Sequence, residues 1–230
     1  DQQAAHINEC DLYIYWIMKT GDYTEVQFIV DELRKIYPHA KHAAGGTHVD
    51  MCPDECEKQF DAIVVGPGEI SFPRIVDECM NSGLKQKVYR MGYGDSHWAD
   101  YPFSKRHYLP RRAIVNQVLF EKYGDDINAT CVLLSRGCSL KCAYCVYNVP
   151  GEIQAKPFDR IVEEIEYLKK EYQVVAINLK DEIALPFSRK ECIGQLEAIA
   201  STGIMWRGQT TVYGATEEKL KLASESGCVE

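Results

Sequence analysis

The sequence predicts an α/β protein built from two successive series of strands and helices. Short apolar runs alternate with stretches of helical periodicity, and glycine-containing turns follow several of the apolar runs. Such an order is typical of parallel sheets that are covered by helices. Of the 230 residues, 46% are hydrophobic and 26% are charged, which is an ordinary globular composition.

The first series occupies residues 1–91. It opens with the run CDLYIYWIM, whose continuous apolar and aromatic character indicates a buried strand. Residues 22–37 then carry apolar side chains at helical spacing and predict a helix. Further strands are predicted at 41–44, 60–65 and 87–90, and a further helix at 70–80. The order predicts a Rossmann-like parallel sheet.

Residues 92–128 show no clear period and separate the two series. Aromatic, proline and basic residues are mixed there. A flexible linker would carry fewer aromatics, so we predict an interdomain segment that packs on something. We interpret its basic cluster as a solvated stretch of linker; the cluster consists of Lys105, Arg106, His107, Arg111 and Arg112.

The second series occupies residues 129–230. Strands are predicted at 131–135, 174–179 and 204–211, and helices at 157–172, 188–200 and 215–226. Thr216 is the expected cap of the last helix. Three βα units in a row favour either an open sheet or the first part of a TIM-type (βα) barrel. The abrupt start and end of the sequence suggest a fold truncated at both ends.

Charge and composition exclude several classes of protein. The net charge is -8, so we expect no nucleic-acid partner. No run approaches the roughly 20 apolar residues of a membrane span, and the sequence shows no secretory leader. Ten cysteines without an export signal favour a reducing compartment, and the cytoplasm is the expected location.

The strand predicted at 131–135 leads into a loop with the sequence RGCSLKCAYC. Three thiols are an odd number for disulfides and one short of a closed zinc site. A cubane iron–sulfur cluster on three cysteines leaves one iron open for a ligand. Three buried structural cysteines are the alternative, but Ser139 and Lys141 make the loop polar. The candidate cluster ligands are therefore Cys138, Cys142 and Cys145.

The stretch CSLKCAYC matches the CxxxCxΦC signature of the radical S-adenosylmethionine (radical SAM) enzymes, and the lead-in LLSRGC resembles them too. The resemblance implies a partial barrel of the radical SAM kind and a 4Fe-4S cluster on the three cysteines. It also implies S-adenosylmethionine on the open iron and reductive cleavage to a 5′-deoxyadenosyl radical. An external flavodoxin- or ferredoxin-like electron donor is implied as well. Tyr144, the aromatic of the motif, would lie near the adenine or simply pack.

Two further groups of residues are implied as S-adenosylmethionine contacts. The run INLKDE ends the second strand, where the family holds the methionine amino group, so Asp181 or Glu182 is expected to make that contact. A helix cap or a solvated acid is the alternative. Arg207 and Gln209 alternate on the third strand and point inward together, unless that strand lies at an edge.

The first series resembles the cobalamin-binding domain that precedes the barrel in a large subgroup of these enzymes. Two turns at strand ends carry the resemblance, GGTH and GPGE. The resemblance also implies a first strand before Cys10, which we expect to be missing from the chain. Glycines there would let the backbone approach a planar macrocycle. We expect His48 to be a turn residue that is hydrogen-bonded to backbone rather than a metal ligand. We interpret Cys52 and Cys56 as structural, with reactive thiols as the alternative. The implied cobalamin contacts are Gly45, Gly46, His48, Gly66, Gly68 and Glu69.

The predicted function is that of a radical SAM methyltransferase. In the subgroup, methylcobalamin supplies a methyl group to an unactivated carbon or phosphorus centre of a substrate, which this sequence does not identify. A cobalamin-independent radical SAM enzyme, of the methylthiotransferase or oxidoreductase type, is one alternative. The other is an electron-transfer or structural iron–sulfur protein, in which Cys131 or another residue supplies a fourth ligand.

Overall fold

The structure, a computed structural model, describes residues 7–145 and 153–230. These residues divide into two compact units. The first contains residues 7–96 together with 141–145, and the second contains 97–140 and 153–230. No helix within the described ranges is long and apolar enough to cross a membrane.

The first unit is a four-stranded parallel sheet in the order β1-β2-β3-β4. Its strands are β1 (Leu12–Trp16), β2 (Lys41–Gly45), β3 (Ala62–Val65) and β4 (Val88–Arg90). Its helices are α1 (Thr20–Ile36), α2 (Thr47–Met51), α3 (Pro53–Gln59) and α4 (Gly68–Asn81). The predicted parallel α/β architecture is confirmed here, and every predicted element lies within a few residues of its observed bounds.

The two central strands, β2 and β3, are buried on both faces, which explains why they are apolar without alternation. The prediction of a buried strand is wrong for β1, because β1 lies at the edge of the described sheet and its Ile14 and Trp16 are 47% and 67% exposed. Ala44 of β2 and Ile63 of β3 pack with Val30 of α1. Ala43 and its neighbours on the opposite face pack with Ile75 of α4. Alanines in the middle strand leave room for the larger side chains of the helices.

Gly66, directly after β3, occupies a position that only glycine can fill. Its φ is +94°, and an added Cβ would lie 2.1 Å from the carbonyl oxygen of Met91. Gly83 also has a positive φ, of +76°, but an added Cβ there meets nothing within 4 Å. We expect Gly83→Ala to lower the free energy of unfolding by about 1 kcal/mol through backbone strain alone. Gly66→Ala should lower it by about 3 kcal/mol or more, because the clash is with backbone. Urea unfolding of both variants measures the difference, and equal losses would contradict the prediction.

The second unit contains a three-stranded parallel sheet in the order β5-β8-β9 and a two-stranded antiparallel pair, β6 with β7. Its strands are β5 (Ala129–Val132), β6 (Ser135–Arg136), β7 (Gln154–Ala155), β8 (Ala176–Leu179) and β9 (Met205–Arg207). Its α-helices are α5 (Arg111–Ile114), α6 (Phe158–Tyr172), α7 (Arg189–Thr202) and α8 (Glu217–Glu225). The hydroxyl of Thr216 accepts from the Lys219 amide, so the predicted cap is confirmed.

Two strands of the second unit are shorter than predicted. The strand expected at 131–135 ends at Val132, and Ser135 pairs instead with Ala155 in the antiparallel ribbon. The strand expected at 204–211 ends at Arg207. Beyond it the Gln209 carbonyl accepts from the Ala184 amide, so the backbone there is bonded to a loop and no longer to the sheet.

The interpretation of the basic cluster as solvated linker is wrong for Arg106. This side chain is largely buried, and its guanidinium donates to Thr130 Oγ1 at 2.7 Å and to the Cys131 carbonyl at 3.0 Å. It also lies 3.7 Å from a carboxylate oxygen of Glu164. Arg111 donates to the Tyr172 carbonyl at 2.8 Å. The segment thus packs on the second sheet, as its aromatic content predicts.

Candidate functional site

The cysteine loop leaves β6 through Gly137, whose φ is +109°. Cys138 is half-buried and belongs to the second unit, whereas Cys142 and Cys145 belong to the first. The Cys145 amide donates to the Cys142 carbonyl at 3.0 Å, so these two cysteines sit on one tight turn. The chain then enters residues 146–152, which lie outside the described ranges.

Asp181, at the end of β8, fixes the backbone that leads into this loop. Its side chain is fully buried. One carboxylate oxygen accepts from the Leu134 amide at 3.1 Å. The other accepts from the Ser135 amide at 2.5 Å and from the Ser135 hydroxyl at 2.6 Å. This buried carboxylate already accepts three hydrogen bonds and is not exposed to solvent. Its role is therefore to hold the loop in position.

Asp181 should make stability depend on pH in a defined window. Burial raises the pKa of Asp181 to about 6, although the hydrogen bonds from Ser135 and Leu134 act in the opposite direction. This folded-state pKa lies above the usual value of about 3.9, so the folded chain holds the proton more tightly than the unfolded chain. The stabilisation from this proton is complete below about pH 4 and is lost as the pH rises to about 6.

We therefore expect the free energy of unfolding to fall by up to about 3 kcal/mol between pH 4 and pH 6 because of this group. Urea unfolding of the chain and of Asp181→Asn over that range isolates its contribution. The difference in free energy of unfolding between the two proteins should change by this amount from pH 4 to pH 6. A difference that does not depend on pH would contradict the prediction.

Glu182 follows Asp181 but occupies a different environment. It is half-buried, and its Oε2 accepts from the Gly137 amide at a longer distance, 3.3 Å. Gly137 immediately precedes Cys138. The two neighbouring acids thus hold successive parts of one loop, and Glu182 is the one that remains partly accessible.

A polar row crosses the second sheet on the face turned away from α6 and α7. Cys131, Asn178 and Arg207 are register partners on β5, β8 and β9. The Asn178 amide nitrogen lies 3.9 Å from Cys131 Sγ, and its oxygen accepts from Arg207 Nε at 3.3 Å. The side chains on the opposite face of these strands are buried in the core under the helices. They are those of Val132, Ile177, Leu179 and Trp206.

Arg207 and Gln209 are brought together by the structure. Both line a hollow of about 340 Å³, with Asn178, Lys180 and Glu230. Arg207 is also ion-paired with Glu230 at 3.4 Å and lies over the ring of Phe120. Sequence reasoning missed Asn178 and Lys180, although the period of two along β8 places them on the same face as each other.

Tyr144 is 88% exposed in the structure. It lies on the turn between Cys142 and Cys145 and is not packed into either core. Its proposed place near an adenine therefore stays a prediction.

In the first unit, the glycine turns are accounted for by the packing of the chain on itself. An added Cβ at Gly46 would lie 2.6 Å from the Ile17 carbonyl oxygen, and Gly45 and Gly68 both abut the ring of Phe72. The Gly66 amide donates to Asp50 Oδ1 at 2.7 Å. Glu69 lies in the first turn of α4, half-buried. These contacts shape the ends of β2 and β3 and would be needed with or without a ligand.

His48 lies in α2 and is only 4% exposed. Its Nδ1 lies 3.4 Å from Thr20 Oγ1, and its ring packs on Tyr23 with the centroids 4.6 Å apart. Its Nε2 has no hydrogen-bond partner among the described residues and lies 3.9 Å from Glu55 Oε2. The His48 amide donates to the Ile17 carbonyl at 3.1 Å, as expected for a histidine bonded to backbone, whereas its ring contacts the side chains of Thr20 and Tyr23.

No family model matches the chain. The uncharacterized methyltransferase PH0819 of Pyrococcus horikoshii is 24% identical over 203 residues, which are 80% of this chain and 42% of that protein. The bacteriochlorophyllide d C-8(2)-methyltransferase of Chlorobaculum tepidum is 27% identical over 129 residues, which are 56% of this chain and 26% of that protein. The sequence is thus similar to methyltransferases.

Among solved structures, the chain is similar to the cobalamin-dependent S-adenosylmethionine radical enzyme OxsB with aqua-cobalamin and S-adenosylmethionine bound. The TM-score is 0.66 at 13% identity, over 94% of this chain and 34% of that one. The apo form of OxsB gives the same TM-score at 12% identity. The α/β fold with parallel sheets is therefore similar to that of this radical SAM enzyme structure. The chain spans less than half the length of each of these proteins.

Proposed function

We propose that this chain is part of a radical SAM enzyme that acts as a methyltransferase. The observation that carries the proposal is the three-cysteine motif CSLKCAYC just after β6, with the two acids that follow β8 bonded to the backbone leading into it. The similarity to methyltransferases and to the OxsB fold supports it.

The donor set suits a cubane cluster. Cys138, Cys142 and Cys145 offer three thiolates, the ligand type that iron–sulfur clusters take, and leave one metal corner without a protein ligand. When bound there, a 4Fe-4S cluster supplies the electron that splits S-adenosylmethionine into methionine and a 5′-deoxyadenosyl radical. The protein's part is to hold the loop in shape, and Asp181 does so through the Leu134 and Ser135 amides.

Charge complementarity suggests which residues contact the amino-acid end of S-adenosylmethionine. Its ammonium group suits Glu182, the partly accessible acid beside Gly137. Its carboxylate suits Arg207, which shares a polar hollow with Gln209. We assign Asp181 a positioning role instead, because its oxygens already accept from the loop.

For the first unit we propose cobalamin binding at the carboxyl ends of β2 and β3. The support is the printed description of OxsB as cobalamin-dependent, together with the place of the two turns in the sheet. The individual glycines add little, because internal contacts explain them. Bound methylcobalamin would supply the methyl group, and the proposed acceptor is an unactivated carbon or phosphorus centre.

The decisive experiment is S-adenosylmethionine cleavage by the anaerobically reconstituted 230-residue chain. After reduction with dithionite, we expect 5′-deoxyadenosine and methionine in equal amounts, measured by liquid chromatography and mass spectrometry. A chain that binds four irons but produces no 5′-deoxyadenosine would instead be an electron-transfer or structural iron–sulfur protein. A separate titration with aqua-cobalamin, followed by its visible spectrum, tests the first unit on its own.

A further inference from the structure

A second cluster of metal-ligating side chains lies in the first unit, away from the cysteine loop in sequence. His48, Cys52 and Glu55 each offer a ligand atom, and these atoms lie within 4.8 Å of one another. No other group of three or more histidines, cysteines, aspartates or glutamates within the described ranges meets this criterion.

Local structure explains why these three residues converge. His48 lies in α2, Cys52 stands at the junction between α2 and α3, and Glu55 lies in the first turn of α3. The Cys52 amide donates to the His48 carbonyl at 2.9 Å, so the chain makes a helical turn between them. Spacings of four and three residues then place the three side chains on one face.

The histidine is oriented for a ligand. Thr20 Oγ1 lies 3.4 Å from Nδ1 and can accept a hydrogen bond from it, which leaves the lone pair on Nε2. That atom is buried and has no hydrogen-bond partner among the described residues. A buried nitrogen left in this way is costly unless something binds it.

The distances suit one shared ion better than an ion pair. Nε2 and Glu55 Oε2 are 3.9 Å apart, too far for a hydrogen bond. Two ligands at about 2.0–2.2 Å from one tetrahedral zinc lie roughly 3.4 Å apart, so a small movement of the exposed Glu55 side chain closes the site. One imidazole nitrogen, one thiolate and one carboxylate form a donor set of the kind that Zn²⁺ takes with a fourth position open.

We propose that His48, Cys52 and Glu55 form a binding site for a Zn²⁺-class divalent metal ion in the first unit. A neutral imidazole with two anionic ligands carries two negative charges, which a divalent cation neutralises. Glu55 is exposed, so water can reach the site and supply a fourth ligand. His48 would then serve a metal ion, and the proposal is independent of S-adenosylmethionine cleavage at the cysteine loop.

Titration with Co²⁺ tests the site, because thiolate-bound Co²⁺ has a visible spectrum. The full chain is used with Cys138, Cys142 and Cys145 all replaced by serine, so that the loop cysteines cannot contribute. We expect one equivalent of Co²⁺ to give a thiolate-to-cobalt charge-transfer band and tetrahedral d–d bands, and Zn²⁺ to abolish both. Absence of these bands in the folded protein would overturn the proposal.

Substitutions in this background locate the site. Cys52→Ser should remove the charge-transfer band, whereas Cys79→Ser, in a half-buried cysteine of α4 outside the cluster, should keep it. Thr20→Val should weaken Co²⁺ binding roughly 10- to 100-fold, as loss of an outer-shell partner does. A charge-transfer band that persists in Cys52→Ser would refute the assignment.

Two controls separate folding and the proposed function from metal binding. Circular dichroism without metal checks that each variant is folded. If Cys52→Ser is unfolded, Glu55→Gln is used in its place, because Glu55 is exposed. Glu55→Gln should then weaken Co²⁺ binding about tenfold or more. In the chain with its loop cysteines intact, Glu55→Gln should leave 5′-deoxyadenosine formation unchanged, so the two proposals can fail separately.

Discussion

Replacement of Cys142 by alanine is expected to abolish both iron–sulfur loading and formation of 5′-deoxyadenosine. Cys142 lies on the tight turn with Cys145, and its loss leaves a cubane with only two protein thiolates, one of them on this turn. Anaerobic reconstitution, followed by iron and sulfide analysis and the visible spectrum, measures the loading. We expect S-adenosylmethionine cleavage to fall at least about 100-fold, to the level of the chain without iron.

Cys131 provides the matched control. It is an exposed cysteine on β5, close to the loop in sequence and bonded weakly to Asn178. Cys131→Ala should retain the cluster and the cleavage activity. If Cys131→Ala loses the iron as Cys142→Ala does, Cys131 is a fourth protein ligand, the open iron corner does not exist, and the electron-transfer alternative is favoured.

Substitution of Asp181 by asparagine is expected to lower the free energy of unfolding by about 3 kcal/mol at pH 4, where the raised pKa keeps the wild-type carboxyl protonated and no buried charge is removed by the change. The asparagine side chain is of the same size but has one acceptor oxygen, and its NH₂ group would face an N–H or O–H donor. Asp181 accepts from two amides and a hydroxyl in a fully buried place, and each buried donor left without an acceptor costs about 1–3 kcal/mol. Urea unfolding of the chain without iron measures this effect.

Glu182→Gln is the control for that prediction. Glu182 is half-buried, and a glutamine oxygen can still accept from the Gly137 amide, so stability should change by less than about 0.5 kcal/mol. Cleavage of S-adenosylmethionine should fall about tenfold, since a charge-assisted contact is lost. The opposite pattern, with Glu182→Gln unstable and Asp181→Asn merely inactive, would reverse the roles assigned to the two acids.

The sequence by itself determined the parallel α/β architecture. Apolar runs such as the one that becomes β3 are buried on both faces, so their composition alone reveals the strand. The helical period of α6 and the hydroxyl cap at Thr216 depend on residues a few positions apart. Helices and caps of this kind can be predicted without knowledge of the fold.

Only the tertiary structure decided which polar side chains are partnered. Asp181 and Glu182 are adjacent in sequence, yet burial makes one a fixed support and leaves the other accessible. Arg106 stands in a sequence cluster typical of solvated cations, yet it lies beside Thr130 and Glu164 in the structure. His48 approaches Cys52 and Glu55 because two short helices join at Cys52. Such pairings depend on packing between segments distant in sequence or on the exact path of a turn. Neither can be predicted from hydrophobic periodicity.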